Sequence, residues 1–202
     1  MVQIAGFYWP DDVGEKWKHS LEHVGSIEWA IAACRHRRTA LQAGGNIGVW
    51  PKRLAESFHT VFTFEPEPIS RACLEQNVYK NVVVSPFALG DRDGLCDIKR
   101  RSLGSHRVME GETVRVITID SLELDDLDLL QLDVEGYEWH ALMGALVTID
   151  ACRPVIQVEL RGHTEKYAHT DDEVRQLLAS LGYRLATQRQ GSDFVFLPRR
   201  AA

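Results

Sequence analysis

Apolar positions along the chain change their period near residue 39. From Ser20 to Cys34, Leu21, Val24, Ile27, Ile31 and Cys34 recur at spacings of three and four. That spacing predicts an amphipathic helix, with Ser20 placed to cap it. Beyond it the segments shorten. "TALQAG" predicts a strand ended by glycines, and "VWPKRLAESF" a helix that tolerates Pro51 only in its first turn. "TVFTFEP" predicts a second strand, "EPISRACLEQNVY" a second helix and "VVVSPFALG" a third strand. Two strand–helix units with short connections predict a parallel sheet covered by helices on both faces.

Residues 90–112 are polar and interrupted by Gly90, Gly94, Gly104 and Gly111, which predicts a loop with an extra strand around "LCDIKR". "TVRVITI" alternates like an edge strand. "LDLLQLDVEG" holds a buried strand, and "YEWHALMGALVTI" one helix. "RPVIQVEL" is a further strand, and "DDEVRQLLASLG" a helix closed by Gly182. "YRLATQRQ" and "DFVFLPR" flank a Gly-Ser turn and predict a terminal antiparallel hairpin. Residues 1–18 mix aromatic, charged and turn-forming residues and read as an irregular arm. The fold class is therefore α/β, Rossmann-like, with a mostly parallel sheet of seven strands. Residues 1–36 form an arm and helix that pack on or cap a site, and residues 37–202 form the ligand-binding domain.

Composition narrows the function. The chain has 202 residues, 45% of them hydrophobic, enough for one sizeable core. A net charge of -6 gives no general attraction to nucleic acid. The clusters Arg35, His36, Arg37, Arg38 and Lys99, Arg100, Arg101 read as solvated faces. Cys34, Cys73, Cys96 and Cys152 form no CxxC pair, which excludes a zinc knuckle on spacing. No signal-peptide pattern opens the chain, and no apolar run approaches the ~18 residues of a membrane span. A cytoplasmic protein without membrane or nucleic acid partners is expected.

The glycine bend "QAGGNIG" carries the first chemical signal. Its glycines give G-G-x-x-G, or G-x-N-x-G across Gly44, Asn46 and Gly48. Neither is the dinucleotide pattern, and GK[ST] is absent. Such a bend lets backbone approach a ligand closely. Glu65 ends the second strand 20 residues after Gly45, where a carboxylate can accept hydrogen bonds from a ribose diol. The competing reading is a cap on the following helix. A ribose without pyrophosphate points to an adenosine ligand such as S-adenosylmethionine.

In order, "QAGGNIG", "FTFEPEP", "ALGDRDG", "TIDSL", "LQLDVEGYEWHALMGA" and "RPVIQVEL" resemble the blocks of FkbM-type methyltransferases, over roughly residues 38–160. The resemblance implies the class I fold, S-adenosylmethionine as cofactor and O-methylation of a hydroxyl on a sugar or small metabolite. It places Gln42, Gly44, Gly45, Asn46 and Gly48 at the amino acid end of the cofactor, Glu65 and Pro66 at the ribose, and Ala88 and Leu89 beside the adenine. The family usually has an acid at position 42 and a lysine at position 131; here both are glutamine.

Methyl transfer needs alignment of acceptor, methyl and sulfur, and a hydroxyl acceptor must lose a proton. Asp133 is the first candidate for base or cofactor ligand, with Glu159 and His163 as further catalytic candidates and His140 as an alternative base. Glu135 reads either as a site residue or as a helix N-terminal acid. Asp133 and Glu159 offer oxygen ligands that suit magnesium, but no third ligand is evident. His19 and His23 share a helix face without a third ligand for zinc. The arm's Phe7, Tyr8, Trp9 and Trp17, the segment 101–108 and the loop after Glu159 are expected around a small-molecule or glycan acceptor; the aromatics suit core or homodimer contacts equally. Three alternatives compete: methylation of nitrogen or nucleic acid, a catalytically weak or inactive binding module, and a nucleotide-sugar or NAD enzyme.

Overall fold

A computed structural model describes residues 1–102, 105–189 and 191–199. The chain opens with a hairpin, β1 (Val2–Ile4) and β2 (Phe7–Trp9), followed by α1 (Lys16–His23), a 3-10 turn and α2 (Glu28–Ala33). Then come β3 (Thr39–Ala43), α3 (Val49–Ala55), β4 (Thr60–Phe64), α4 (Pro68–Asn77) and β5 (Val82–Ser85). A second group of strands follows: β6 (Ala88–Leu89), β7 (Gly94–Ser102) and β8 (Ser105–Ile117). The chain ends with β9 (Leu127–Leu132), α5 (Glu138–Met143), α6 (Leu146–Cys152), β10 (Val155–Glu159), α7 (Asp171–Ser180), β11 (Tyr183–Arg189) and β12 (Asp193–Pro198).

The main sheet has seven strands in the order β11-β12-β10-β9-β3-β4-β5. All neighbours run parallel except β12, which is antiparallel to both β10 and β11. Every residue of β3 and β10 is buried, as expected for strands covered on both faces. One face packs Leu41, Leu130 and Ile156 against Leu142, Ile149 and Leu178 of α5, α6 and α7. The other packs Ala40, Val61 and Leu129 against Ile31 of α2 and Leu54 of α3.

Five local expectations are corrected. The helix placed at 20–34 starts at Lys16, tightens into a 3-10 turn at Val24–Ile27, and restarts at Glu28. Gly25 is a poor helix former at the break, and Ser20 lies inside α1, its hydroxyl donating to Lys16 O. The arm is an ordered hairpin whose turn residues Ala5 and Gly6 both have positive φ, 51° and 82°, the two-residue turn that matches strand twist. Trp9 is fully buried with Val13, Ile47, Val49 and Cys73, and Asn77 clamps Tyr8 N–H and Tyr8 O at 2.7 and 2.8 Å. Trp9 is therefore core, with Phe7 and Trp17 packed against the same cluster.

The remaining three concern a strand and a helix drawn too long and a segment read as mostly loop. The strand placed at 82–90 stops at Ser85, because Pro86 lacks the N–H that the ladder needs. β6 then leaves the main sheet and pairs with β8. The segment read as a loop is a long β7–β8 hairpin in a separate three-stranded sheet, ordered β6-β8-β7. Cys96, Ile98, Val108, Val114 and Val116 line one side of it. The helix placed at 137–149 breaks at Gly144, where a Cβ would stand 1.9 Å from Gly90 O. Among the described residues no helix is long and apolar enough to cross a membrane.

Candidate active site

The carboxyl ends of β3, β4, β9 and β10 converge on one edge of the main sheet, the usual ligand position in such sheets. The bend leaves β3 with φ of 86° at Gly44, 47° at Asn46 and 96° at Gly48. Gly44 and Gly45 both donate N–H to Phe64 O, each at 3.0 Å. A Cβ at Gly44 would lie 1.9 Å from Asp133 O, so only glycine lets the bend press against the chain that leaves β9.

Gln42 sits beneath the bend and is buried. Its Nε2 donates to Ala43 O and Gly44 O at 3.1 and 2.9 Å, and its Oε1 accepts from the Thr63 hydroxyl at 2.6 Å. Its polar atoms thus support the shape of the bend. A carboxylate could not make those two donations. Gln131 and Gln157 continue the same buried row across β9 and β10.

Glu65 is buried at the end of β4, and burial pushes its carboxyl up to about 7. Oε2 accepts Asn46 N–H at 2.7 Å and Oε1 accepts Glu67 N–H at 2.8 Å. The cap of α4 is Glu67, which accepts from Ile69 N–H and Ser70 N–H. Glu65 faces a cleft of about 510 Å³ with Pro66, Phe87, Ala88 and Leu89. The second sheet closes that cleft with Ile98, His106 and Val108. His106 Nδ1 is 3.8 Å from Glu65 Oε1, and burial lowers the imidazole pKa. Among the described residues, the buried His106 Nε2 and Asn46 Oδ1 have no hydrogen-bond partner. Tyr167 OH accepts Val108 N–H at 3.0 Å, and Arg100 grips Asp12 at 2.8 and 2.9 Å, so the β7–β8 hairpin is held on two sides. Of the segment 101–108, residues 103 and 104 lie outside the described residues.

A second cleft of about 1120 Å³ adjoins the first, sharing Gly44, Asp133 and Glu135 as walls. Asp133 and Glu159, at the ends of neighbouring strands, hydrogen-bond each other through their carboxyls, and burial raises both pKa values. Two such groups cannot both ionise cheaply, so the pair shares a proton between its carboxyls. Arg161 Nη2 lies 2.6 Å from Glu159 Oε1. Asp193 stands beside Glu159 in the β10–β12 register, pushed up to about 6 mainly by burial. Glu135, at φ 57°, is pushed up to about 7 by burial and then by Asp133. Its Oε2 lies 3.2 Å from His163 Nδ1, which puts His163 on the rim beside Glu135.

The acid at the start of α5 is Glu138, which sequence reading passed over. It is buried, accepts Val134 N–H and Gly136 N–H at 3.0 and 3.1 Å, and is pushed up to about 8 by burial. The structure thus gives Glu138 the helix-terminal role weighed for Glu135. His140 stacks on Tyr137 at 4.3 Å and lies near Asp91, away from the acid pair. Among the described residues no group of three or more His, Cys, Asp or Glu is disposed to hold a metal.

Residues 42–185 match the family model described as Methyltransferase FkbM domain. Among solved structures, methyltransferase FkbM from Methylobacillus flagellatus KT is similar over 82% of this chain and 45% of its own length, with 17% identity and a TM-score of 0.55. A TehB-like SAM-dependent methyltransferase from Corynebacterium glutamicum is similar over 94% of this chain and 97% of its own, with 14% identity and a TM-score of 0.54. Magnesium protoporphyrin IX methyltransferase from Synechocystis PCC 6803, solved with bound SAM, is similar over 98% and 88%, with 12% identity and a TM-score of 0.52. No curated protein sequence matches the chain.

Proposed function

Because this chain belongs to the FkbM methyltransferase domain family, a family of S-adenosylmethionine-dependent methyltransferases, we propose that it methylates a hydroxyl group on a sugar or small metabolite. One observation carries the reading. A largely apolar cleft with the buried Glu65 carboxylate on its wall opens at Gly44 onto a proton-sharing carboxyl pair.

The residues present fit the cofactor. Glu65 is aimed at a ribose, Ala88 and Leu89 with Phe87 and Ile98 at an adenine, and the unpartnered His106 Nε2 and Asn46 Oδ1 await polar partners. When bound, S-adenosylmethionine supplies an electrophilic methyl group on a sulfonium. Gly44 brings the bend against Asp133 and so fixes the distance between binding and reacting ends. Asp133 Oδ accepts the proton of the acceptor hydroxyl, a role favoured by a pKa that burial raises above the usual carboxylate range. Glu159, tied to Arg161 and hydrogen-bonded to Asp133, holds Asp133 in place. The outer carboxylates favour a cationic centre over the bend.

The test is methyl transfer from labelled S-adenosylmethionine to a panel of hydroxyl acceptors, with Asp133→Asn as control. Product from the native protein and its loss in Asp133→Asn support the reading. Transfer to amines but not hydroxyls contradicts it.

A further inference from the structure

Helix α1 lies outside the stretch matched by the family model, residues 42–185. Trp17 and Leu21 pack inward against the cluster around Trp9. Lys16, His19, Ser20 and His23 instead line the second cleft. These four follow the i, i+3, i+4, i+7 rhythm of one helix face. The face opposes the acids, yet the acids are engaged elsewhere: Glu159 with Arg161 at 2.6 Å and Glu135 with His163 at 3.2 Å. The His19 and His23 rings stand 3.8 Å apart. Burial, and then His19 and Arg161, lower the His23 pKa, the mark of cation-forming groups crowded together. An anion seated among them relieves that crowding.

We propose that the methyl acceptor carries an anionic group, a carboxylate or phosphate, that docks on this α1 face while its hydroxyl points to Asp133. The inference rests on the methyl-transfer reading above. The substrate class is thus a hydroxylated acid, such as a uronic acid, a sugar phosphate or a hydroxylated aromatic carboxylate. Lys16 and the imidazole N–H groups of the face bind the charge, and the carboxyl pair on the floor handles the hydroxyl proton. The segment that supplies the face lies outside the stretch matched by the family model.

The experiment compares matched acceptors: galacturonate with galactose, glucose 6-phosphate with glucose, and 3,4-dihydroxybenzoate with 3,4-dihydroxybenzyl alcohol. Each is offered to the native protein and to the triple variant Lys16→Gln, His19→Gln, His23→Gln. At about 0.2–1 kcal/mol for each exposed charged contact, the charged member of at least one pair is expected to have a kcat/KM about tenfold higher. The triple variant loses that preference through KM and keeps kcat. S-adenosylhomocysteine affinity stays unchanged. Equal use of charged and neutral members overturns the proposal, as does a preference that survives in the variant. So does a variant that binds S-adenosylhomocysteine about tenfold more weakly but methylthioadenosine, which lacks the carboxylate, normally; the face would then hold the cofactor's own carboxylate. If no panel member is methylated, the imidazole resonances of His19 and His23 in the S-adenosylhomocysteine-loaded protein decide. Shifts with charged members alone support the proposal, and their absence overturns it. Failure of the native protein to bind S-adenosylhomocysteine is a separate result, which removes the methyl-transfer reading itself.

Discussion

The two clefts that meet at Gly44 and Asp133 are built on opposite principles. The first is apolar, with Phe87, Ala88, Leu89, Ile98 and Val108 around one buried carboxylate. The second is crowded with ionisable groups: Asp133, Glu135 and Glu159 on its floor, Lys16, His19 and His23 on its wall. An apolar site with one well-placed acceptor selects a ligand by shape and a few hydrogen bonds. A site where carboxyls are buried side by side has shifted proton affinities, which is what proton transfer requires. The contrast separates holding from reacting, and Gly44 is where the two are joined.

Breaking the reacting side should have the largest effect. Asp133→Asn is expected to lower kcat by about a hundredfold to ten-thousandfold, with S-adenosylhomocysteine affinity changed less than about threefold; steady-state kinetics and calorimetry check the split. Breaking the junction comes next. Gly44→Ala places a Cβ against Asp133 O at a φ of 86° and should cost about 3 kcal/mol. Thermal unfolding should show this as a melting point lower by roughly 6–12 °C.

Breaking the holding side is milder. Glu65→Gln should weaken S-adenosylhomocysteine binding by about tenfold, the loss of a charge-assisted hydrogen bond. The Glu65 carboxyl is raised to about 7 by burial, and a ribose diol is best held by its ionised form. Native affinity should therefore fall as pH drops from 8 to 6, about tenfold at pH 6, and the variant should flatten that profile. Stability of the ligand-free protein runs the other way. Glu65, Glu135 and Glu138 have folded pKa values above their unfolded ones, at about 7, 7 and 8. Their contribution is full below about pH 4.5 and is lost as pH rises through 7 to 8. The smallest effect concerns the wall. Tyr167→Phe removes the acceptor of Val108 N–H and should weaken S-adenosylhomocysteine binding by about threefold, within the ~0.5–1.5 kcal/mol of one hydrogen bond.

What the sequence disclosed follows the same division. The main sheet was legible because β3, β4, β9 and β10 are short apolar runs bounded by glycines and acids, and their ends name Gly44, Glu65, Asp133 and Glu159 directly. The second sheet was hidden because Gly94, Gly104 and Gly111 look like loop punctuation. Its period-two alternation of Cys96 and Ile98 with Val108, Val114 and Val116 was the available signal. The support that Gln42 gives the bend was not legible, because spacing reports that a residue ends near a bend, not what its amide bonds to. Glu138 was passed over because its role depends on φ of 57° and 109° at Glu135 and Gly136, which fold the chain back over its carboxylate. The cleft-facing stripe of α1 was only partly legible, because the apolar spacing started the helix at Ser20 whereas α1 starts at Lys16.

The account is tested most directly by calorimetric titration of the native protein with S-adenosylmethionine and S-adenosylhomocysteine, with NAD as control and Glu65→Ala in parallel. One-to-one binding of both adenosyl ligands, weakened in Glu65→Ala and absent for NAD, is the result predicted. Binding of NAD, or binding of neither adenosyl ligand, contradicts it.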